Sequence, residues 1–260
     1  MRDTVFADIH ESIKRAGIWV RLGLSDTALK YRRSILGPFW LTLGMGITVL
    51  GLGTFWSLIW KVDLATFFPY LTAGILLWAF LVACLTEGAH CFAQQASLIR
   101  ATPLPLFVHP LRLTVKIFLT FLHNSAVFVL VAWYFHLPLS WSVLLVIPGM
   151  ALLIVFCAGA ALFLGILGAR FRDFPPIVES VVPLLFFLTP VLWYSHALGE
   201  REYLAFFNPL THLIAIVRQP MLGQVPDSTN YMVSGAVTAG LWVLALVAFH
   251  RSRTRLTLWV

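Results

Sequence analysis

Long apolar runs alternate with short polar breaks along almost the whole chain. A membrane helix needs about 20 predominantly apolar residues, and six runs come close to or exceed that length. Transmembrane strands would instead alternate polar and apolar residues over about ten positions, which these runs do not do. The pattern therefore predicts an all-α integral membrane protein with six transmembrane helices. The predicted spans cover approximately residues 38–60, 67–92, 111–135, 141–168, 176–194 and 231–250.

Two further segments do not fit a simple spanning pattern. Residues 198–226 are too long for an ordinary loop and too interrupted to span, which favours a re-entrant helical hairpin on the outer side between spans five and six. In residues 1–30, apolar positions such as Ile9, Ile13 and Val20 recur at helical spacing among charged ones, which predicts an amphipathic helix along the inner membrane surface. The predicted divisions of the chain are the interfacial helix 1–30, the membrane domain 31–253 and a basic tail 251–260.

Composition supports a membrane protein over a soluble one. The chain is 60% hydrophobic and 11% charged, whereas a soluble domain carries about 25% charged residues. A net charge of +7 could suggest nucleic acid, but in a membrane protein the first question is which side the charges occupy. We therefore expect membrane lipids, and no nucleic acid, among its partners.

Basic residues are divided unequally between the two sides of the predicted membrane domain. Of the 18 Lys and Arg residues, only Lys61, Arg201 and Arg218 fall on one side. The others lie in the N-terminal segment, near the connections that follow spans two and four, and in the tail. Because positive charge accumulates in cytoplasmic segments, this distribution predicts that both termini are cytoplasmic.

The sequence offers little chemistry of its own. None of the four lysines follows a glycine, so the chain lacks the loop with which many ATPases cradle phosphates. We expect no catalytic residue, no metal site and no cofactor in this chain, with ATP and Mg²⁺ bound by a separate partner subunit. The three cysteines are predicted to be buried filler residues, since their spacing suits no metal site.

Four short motifs, in this order, carry a resemblance to a known family. They are the basic entry Tyr31–Trp40 (YRRSILGPFW), Phe171-Arg172-Asp173 after span four, Phe187–Val191 (FLTPV) in span five and Asn208-Pro209-Leu210 after it. Together with the six spans, they resemble the permease subunit of type-2 ABC exporters that move O-antigen, capsular polysaccharide or teichoic acid. The resemblance covers essentially the whole chain.

The resemblance implies an assembly and a cargo. It implies a second copy of the chain, two ABC ATPase subunits, a lipid-linked polysaccharide as substrate and a bacterial inner membrane as location. Alternative readings are an exporter of a drug, haem, a small lipid or a teichoic-acid-like polymer on the same scaffold, or a membrane-embedded scaffold protein that transports nothing. The abundance of aromatic residues, 14% of the chain, favours a glycan.

Two groups of polar residues are candidates for contacts at the cytoplasmic side. Arg32 and Arg33 could bind the phosphates of a lipid-linked substrate, because a guanidinium can bind two oxygens at once; simple anchoring to anionic lipid is the alternative. The resemblance implies that the N-terminal helix and the loop after span two contact the ATPase, and the loop after span four is a further candidate. The candidate coupling residues are Gln94, Ser97, Arg100, Arg172 and Asp173; a plain connector and a capped turn are the alternatives.

Within the spans, one charged pair and one aromatic set stand out. Glu87 and Lys116 each lie about five residues, roughly 7 Å, inside the predicted inner surface. Charges at this depth usually pair or face water, so we predict that they are neighbours, with independent snorkelling as the alternative. Aromatic rings offer flat apolar faces to sugars, although Trp and Tyr also form membrane belts. The predicted path residues are Trp56, Trp60, Tyr70 and Trp78.

Overall fold

The computed structural model describes residues 5–31, 37, 39–138 and 140–260. Within these ranges the chain forms helices and connecting turns, and no strand. The helices are α1 (Val5–Lys14), α2 (Ala16–Tyr31), α3 (Phe39–Trp60), α4 (Leu64–Ala89), α5 (Ala96–Ala101), α6 (Val108–Tyr134), α7 (Val146–Arg170), α8 (Phe174–Leu188), α9 (Tyr203–Phe206), α10 (Pro209–Met221) and α11 (Ser228–Trp259). Short 3₁₀ turns occupy Ala93–Gln95, Trp141–Leu145 and Ser195–Arg201.

Five helical segments in the described part of the chain are long and apolar enough to cross a membrane. They are Thr42–Trp60, Leu64–Ala89, Val108–Tyr134, Trp141–Arg170 and Ser228–Trp259. The chain is thus a multi-pass, all-helical membrane protein. α4 and α7 are the most buried of these segments, and α4 packs against α3, α6, α7, α8 and α10.

The predicted fifth span, 176–194, is not one continuous helix. α8 contains 15 residues and ends at Leu188, which at 1.5 Å per residue is about 22 Å and short of a hydrocarbon core. Residues 189–194 continue as turns and bends, hereafter the non-helical segment 189–194. Pro190 has no backbone N–H to donate to a helical hydrogen bond, and it disfavours helical geometry at the preceding residue. That residue, Thr189, has an extended ψ of 135°.

The N-terminal segment also differs from its prediction as a single helix. It forms α1 and α2, which are interrupted at Arg15. α1 packs against α11 and α2 packs against α6. Ile13, on the predicted apolar face, is exposed.

Two opposite ends of the bundle can be distinguished. At the basic end, α1 and α5 pack against α11, and α2 packs against α6. A hydrophobic cluster at this end joins Val5, Phe92, Phe107, Leu162 and Phe249. At the opposite end, α10 packs against α4, α7 and α11, and Asn208 caps its first turn by accepting from the Leu210 N–H.

Candidate functional site

The basic end is fastened by charged side chains on different helices. The Arg112 guanidinium on α6 donates from Nε and Nη2 to the two carboxylate oxygens of Asp26 on α2, at 2.6 and 2.5 Å. Its Nη1 donates to the Gln95 side-chain oxygen at 2.7 Å. Such a two-pronged guanidinium–carboxylate contact fixes orientation as well as distance. Arg112 therefore ties the N-terminal α2 to the turn that leads into α5.

Glu87 and Lys116 lie next to each other in the same region. Lys116 Nζ on α6 donates to Glu87 Oε2 on α4 at 2.6 Å. Both side chains are partly buried. The predicted neighbours are therefore brought together by the antiparallel packing of α4 and α6.

Asp8 joins three further parts of the basic end, and sequence reasoning missed it. The residue is 5% exposed, and its two carboxylate oxygens accept from the backbone N–H groups of Leu106 and Phe107 at 3.1 and 3.0 Å. These N–H groups precede α6, so Asp8 caps that helix from α1 and adds negative charge at its N-terminus. Arg253 Nε on α11 lies 3.6 Å from Asp8 Oδ2.

The five candidate coupling residues are all exposed at this end of the bundle. Gln94, Ser97 and Arg100 lie on or beside α5, and Arg172 and Asp173 lie between α7 and α8. Arg100 donates to the backbone oxygen of Val260 from Nε and Nη2. Asp173 precedes α8 without a side-chain capping bond, so the capping role considered for it is not the role it has here. Arg32 and Arg33 lie outside the described residues.

Three of the four predicted path aromatics belong to one continuous group of rings towards the opposite end. The Trp56 and Trp60 ring centroids are 4.6 Å apart, and Trp60 contacts Phe67 edge-on at 6.0 Å. Phe67 contacts Tyr194, which lies 4.2 Å from Tyr70. Trp78 lies elsewhere: it is 8% exposed and packs against Phe186 of α8 at 5.5 Å.

Tyr70 has a polar role that sequence reasoning did not identify. Its hydroxyl lies 2.8 Å from the Trp193 carbonyl oxygen and 3.2 Å from that of Pro190. The Arg218 guanidinium lies 4.2 Å from the centre of its ring. Arg218 was the available signal in the sequence, since a cation inside an apolar run has to find acceptors within the protein. Its partners are backbone atoms, however, and these have no signature in the sequence.

An apolar groove of about 880 Å³ opens between α3 and α6. Gly46, Val49 and Leu50 line one wall, and Val131 and Tyr134 line the other. Thr42 on α3 donates to the His123 carbonyl oxygen of α6 at 3.2 Å, which holds the two helices together at one end of the groove. The rest of α3 leaves much apolar surface exposed.

Comparison with known proteins assigns a family to this arrangement. Relatives include two O-antigen export system permease proteins RfbA from Klebsiella pneumoniae, 25% identical over 73% of this chain and 74% of the relative, and 23% identical over 88% and 90%. A protein of the same name from Myxococcus xanthus is 21% identical over 94% of this chain and 96% of the relative. Residues 23–222, from α2 through α10, match the family described as ABC-2 type transporter. The chain belongs to the ABC-2 type transporter family, whose members are the membrane subunits of ABC transporters.

Proposed function

We propose that this chain is the membrane permease of an ATP-driven exporter that moves a lipid-linked, O-antigen-like polysaccharide across a bacterial inner membrane. The observation that carries the proposal is the combination of the family match over residues 23–222 with three relatives named as O-antigen export permeases. The relatives match over most of their length. The likeness therefore extends over the whole membrane domain instead of one shared motif.

In this proposal, ATP hydrolysis takes place on a separate ABC ATPase, present in two copies, at the basic end. That end presents an exposed polar surface from two connections, which includes Ser97 and Arg172. Contacts of the buried Asp8 and the partly buried Arg112 join this surface to α1, α2, α6 and α11. A push on α5 would therefore reach several membrane helices, which a coupling surface requires. Both termini are cytoplasmic in this arrangement.

A second copy of the chain forms the other half of the transporter in this proposal. α8 carries an exposed apolar stripe at helical spacing, formed by Ile177, Val181, Leu184 and Leu188. α3 carries a comparable exposed stripe that includes Leu43, Ile47 and Leu50. We assign the path to the space between two such copies, beside Trp56 and Trp60, with Arg32 and Arg33 at the entry for the substrate's phosphates.

We also propose six crossings, with α8 and the non-helical segment 189–194 together forming the fifth. Non-helical backbone is tolerated at membrane depth where protein covers it, and Thr189, Val191 and Leu192 are buried. Residues 198–226 then form the re-entrant hairpin on the outer side. The α10 part of this hairpin buries Leu213 and Ile216, which supports a position within the bundle.

Transport of glycan in a purified system tests the proposed function. The chain and its ATPase are reconstituted in vesicles with the ATPase outside, and a lipid-linked polysaccharide is added. We expect ATP to render the glycan resistant to an added polysaccharide-cleaving enzyme, because the glycan enters the lumen. A non-hydrolysable ATP analogue and the lipid carrier without glycan are the controls. Transport of the bare carrier, and not of the glycan, would favour a small-lipid exporter.

Charge reversal tests the ATPase surface. Arg172→Glu should weaken co-purification with the ATPase, while Arg201→Glu should leave it unchanged. Both arginines are exposed, but Arg201 lies in the 3₁₀ turn Ser195–Arg201, away from the basic end. Equal co-purification of both variants with the parent would place the contact elsewhere.

A further inference from the structure

The non-helical segment 189–194 leaves backbone groups that no helix satisfies. Where α8 ends, its last carbonyl groups lose their intrahelical partners, and leaving such groups unbonded in a membrane interior is costly. Side chains from other helices supply the missing donors. Asn208 Nδ2 donates to the Leu188 carbonyl oxygen at 3.1 Å and to Thr189 Oγ1 at 2.9 Å. The Pro190 and Trp193 carbonyl oxygens are near the Tyr70 hydroxyl.

Arg218 is the charged member of this group. It lies on α10, is 7% exposed, and donates from Nη1 to the Pro190 carbonyl oxygen at 2.6 Å. Among the described residues no carboxylate lies within ion-pairing distance of it. Its charge is offset instead by the face of the Tyr70 ring and by the carbonyl dipoles beyond the C-terminus of α8, the helix end that favours a cation. The buried Arg218 guanidinium thus binds the backbone of the non-helical segment 189–194.

Gly74 on α4 shows how closely the same stretch approaches its neighbour. A Cβ atom at position 74 would lie 2.8 Å from the Val191 carbonyl oxygen and 3.5 Å from Val191 Cγ1. The first distance is shorter than real Cβ contacts allow, and the obstacle is backbone. Val191 itself is 0% exposed. The non-helical segment 189–194 therefore rests directly on α4 at a point where only glycine fits.

We propose that Arg218, together with Tyr70, is a positioning residue for transport that clasps the non-helical segment 189–194 onto α4. The clasp determines where the chain beyond α8 lies, and the exposed apolar stripe of α8 would face the second copy in the proposed assembly. This inference rests on the proposed function. Its structural half, that Arg218 holds the segment in place, does not depend on what is transported.

Thiol accessibility measures the structural half directly. Val191→Cys is introduced into the parent chain, purified in lipid nanodiscs and treated with a water-soluble maleimide. The native Cys84 and Cys157 are fully buried and serve as internal references. Adding Arg218→Met, which keeps an unbranched apolar side chain but removes the donors, should raise the labelling rate at position 191 about tenfold or more, as expected for loss of a charged hydrogen bond.

Two further variants separate loss of the clasp from general damage. Arg218→Lys retains the charge and a group that can donate, so it should label more slowly than Arg218→Met. Gly74→Val, combined with Val191→Cys, should raise the labelling rate by about the same factor through steric displacement of the segment. Gly240→Val is its matched control, because a Cβ at position 240 meets nothing within 4 Å. A parent labelling rate in Arg218→Met would overturn the clasp, whatever the rate in Gly74→Val.

Transport per ATP hydrolysed measures the functional half. The same variants, without the added cysteine, are reconstituted at equal amounts of folded protein, and their thermal unfolding midpoints are measured alongside. We expect Arg218→Met and Gly74→Val to lower glycan transport per ATP about tenfold, and Arg218→Lys to recover part of it. A merely structural residue would change the amount of folded protein and leave this ratio unchanged. Raised labelling with an unchanged ratio would overturn the positioning role. A parent that moves no glycan would refute the proposed function and leave the labelling result standing.

Discussion

The two ends of the bundle are held together by different interactions. At the basic end, side chains of opposite charge on different helices meet: Arg112 with Asp26, and Lys116 with Glu87. At the opposite end, the cation Arg218 is bound by a carbonyl oxygen and an aromatic ring. The helices there are also joined through close backbone contacts and through tilted or edge-on ring contacts.

The difference follows from where each end can place charge. Several basic-end pairs are partly exposed, so water reduces the desolvation cost of ionising both partners, and positive charge is favoured on the cytoplasmic side that we propose for this end. Further from that side, burying a carboxylate away from water would cost more desolvation free energy than its attraction to a cation regains. Backbone carbonyls carry no net charge and are already present, so they provide cheaper acceptors. Changes of side-chain charge should therefore alter stability most at the basic end, and changes of side-chain volume should alter it most at the opposite end.

Removal of the Asp8 carboxylate should have the largest effect on stability. Asp8→Ala leaves the Leu106 and Phe107 N–H groups without their acceptor in a buried setting. Each unsatisfied donor costs about 1–3 kcal/mol, so the free energy of unfolding should fall by about 3 kcal/mol. Denaturant unfolding of the purified protein, followed by circular dichroism, measures the change.

Asp173→Ala is the matched control for this variant. Asp173 is also an acid before a helix at the basic end, but it is exposed and makes no side-chain capping bond. Its replacement should change stability by less than about 0.5 kcal/mol. Equal losses in the two variants would show that general charge at this end, and not the Asp8 contacts, stabilises the fold.

A change in volume should dominate at the opposite end. A Cβ at Gly149 on α7 would lie 2.5 Å from the Ile216 carbonyl oxygen of α10, so Gly149→Ala forces two helices apart and should destabilise by about 2 kcal/mol. Gly235→Ala on α11 meets nothing within 4 Å and should instead stabilise by up to about 1 kcal/mol through helix propensity. Thermal unfolding of both proteins compares them. Two changes of the same sign would contradict the volume-sensitive opposite end.

The sequence allowed most helices to be predicted, since an apolar run of membrane length has few other structures available to it. It also allowed Glu87 and Lys116 to be considered together, because each is a rare charge at a similar depth. The end of the helix at Leu188 was harder to predict from the sequence. The run 176–194 is apolar throughout, and only Pro190 marks the site where the helix ends.

Side chains that bind backbone were harder still to identify. Asp8 binds two N–H groups about a hundred residues later in the chain, and backbone donors look alike in every sequence. Trp78 shows the same limit for packing. Trp78 lies two helical turns after Tyr70, a spacing that favours a place with the path aromatics, while its burial against Phe186 depends on the course of α8. Local periodicity identifies a helix face, but the partner of that face is set by tertiary packing.

A double-mutant cycle on Glu87 and Lys116 examines the basic end with a smaller expected effect. The Nζ to Oε2 distance of 2.6 Å and the partial burial of both groups favour a coupling of about 1 kcal/mol between Glu87→Gln and Lys116→Met. Glu11 and Arg15 form the comparison pair, since they are one turn apart in the sequence and do not join separate membrane helices; their coupling should be about 0.3–0.5 kcal/mol. Strictly additive losses at Glu87 and Lys116 would mean that the contact contributes no stability.

The smallest effect should come from an exposed charge at the opposite end, Asp227. It precedes α11, and its carboxylate accepts from the Thr229 N–H at 3.3 Å and the Ser228 hydroxyl at 3.2 Å. These bonds, that from the Thr229 backbone first, hold the pKa of Asp227 below its ordinary value. A carboxyl whose pKa is lower in the folded state contributes stability above its unfolded pKa, near 3.9, and loses it as the pH falls through the folded value. Asn is an equally good capping residue that does not titrate, so the parent should lose stability relative to Asp227→Asn as the pH falls from 6 to about 3. Hydrogen exchange of backbone amides at the start of α11 measures this difference at each pH. Because it reports local stability, it separates the effect of Asp227 from the titration of carboxylates elsewhere. A difference that stays constant with pH would show that the cap works through its geometry alone.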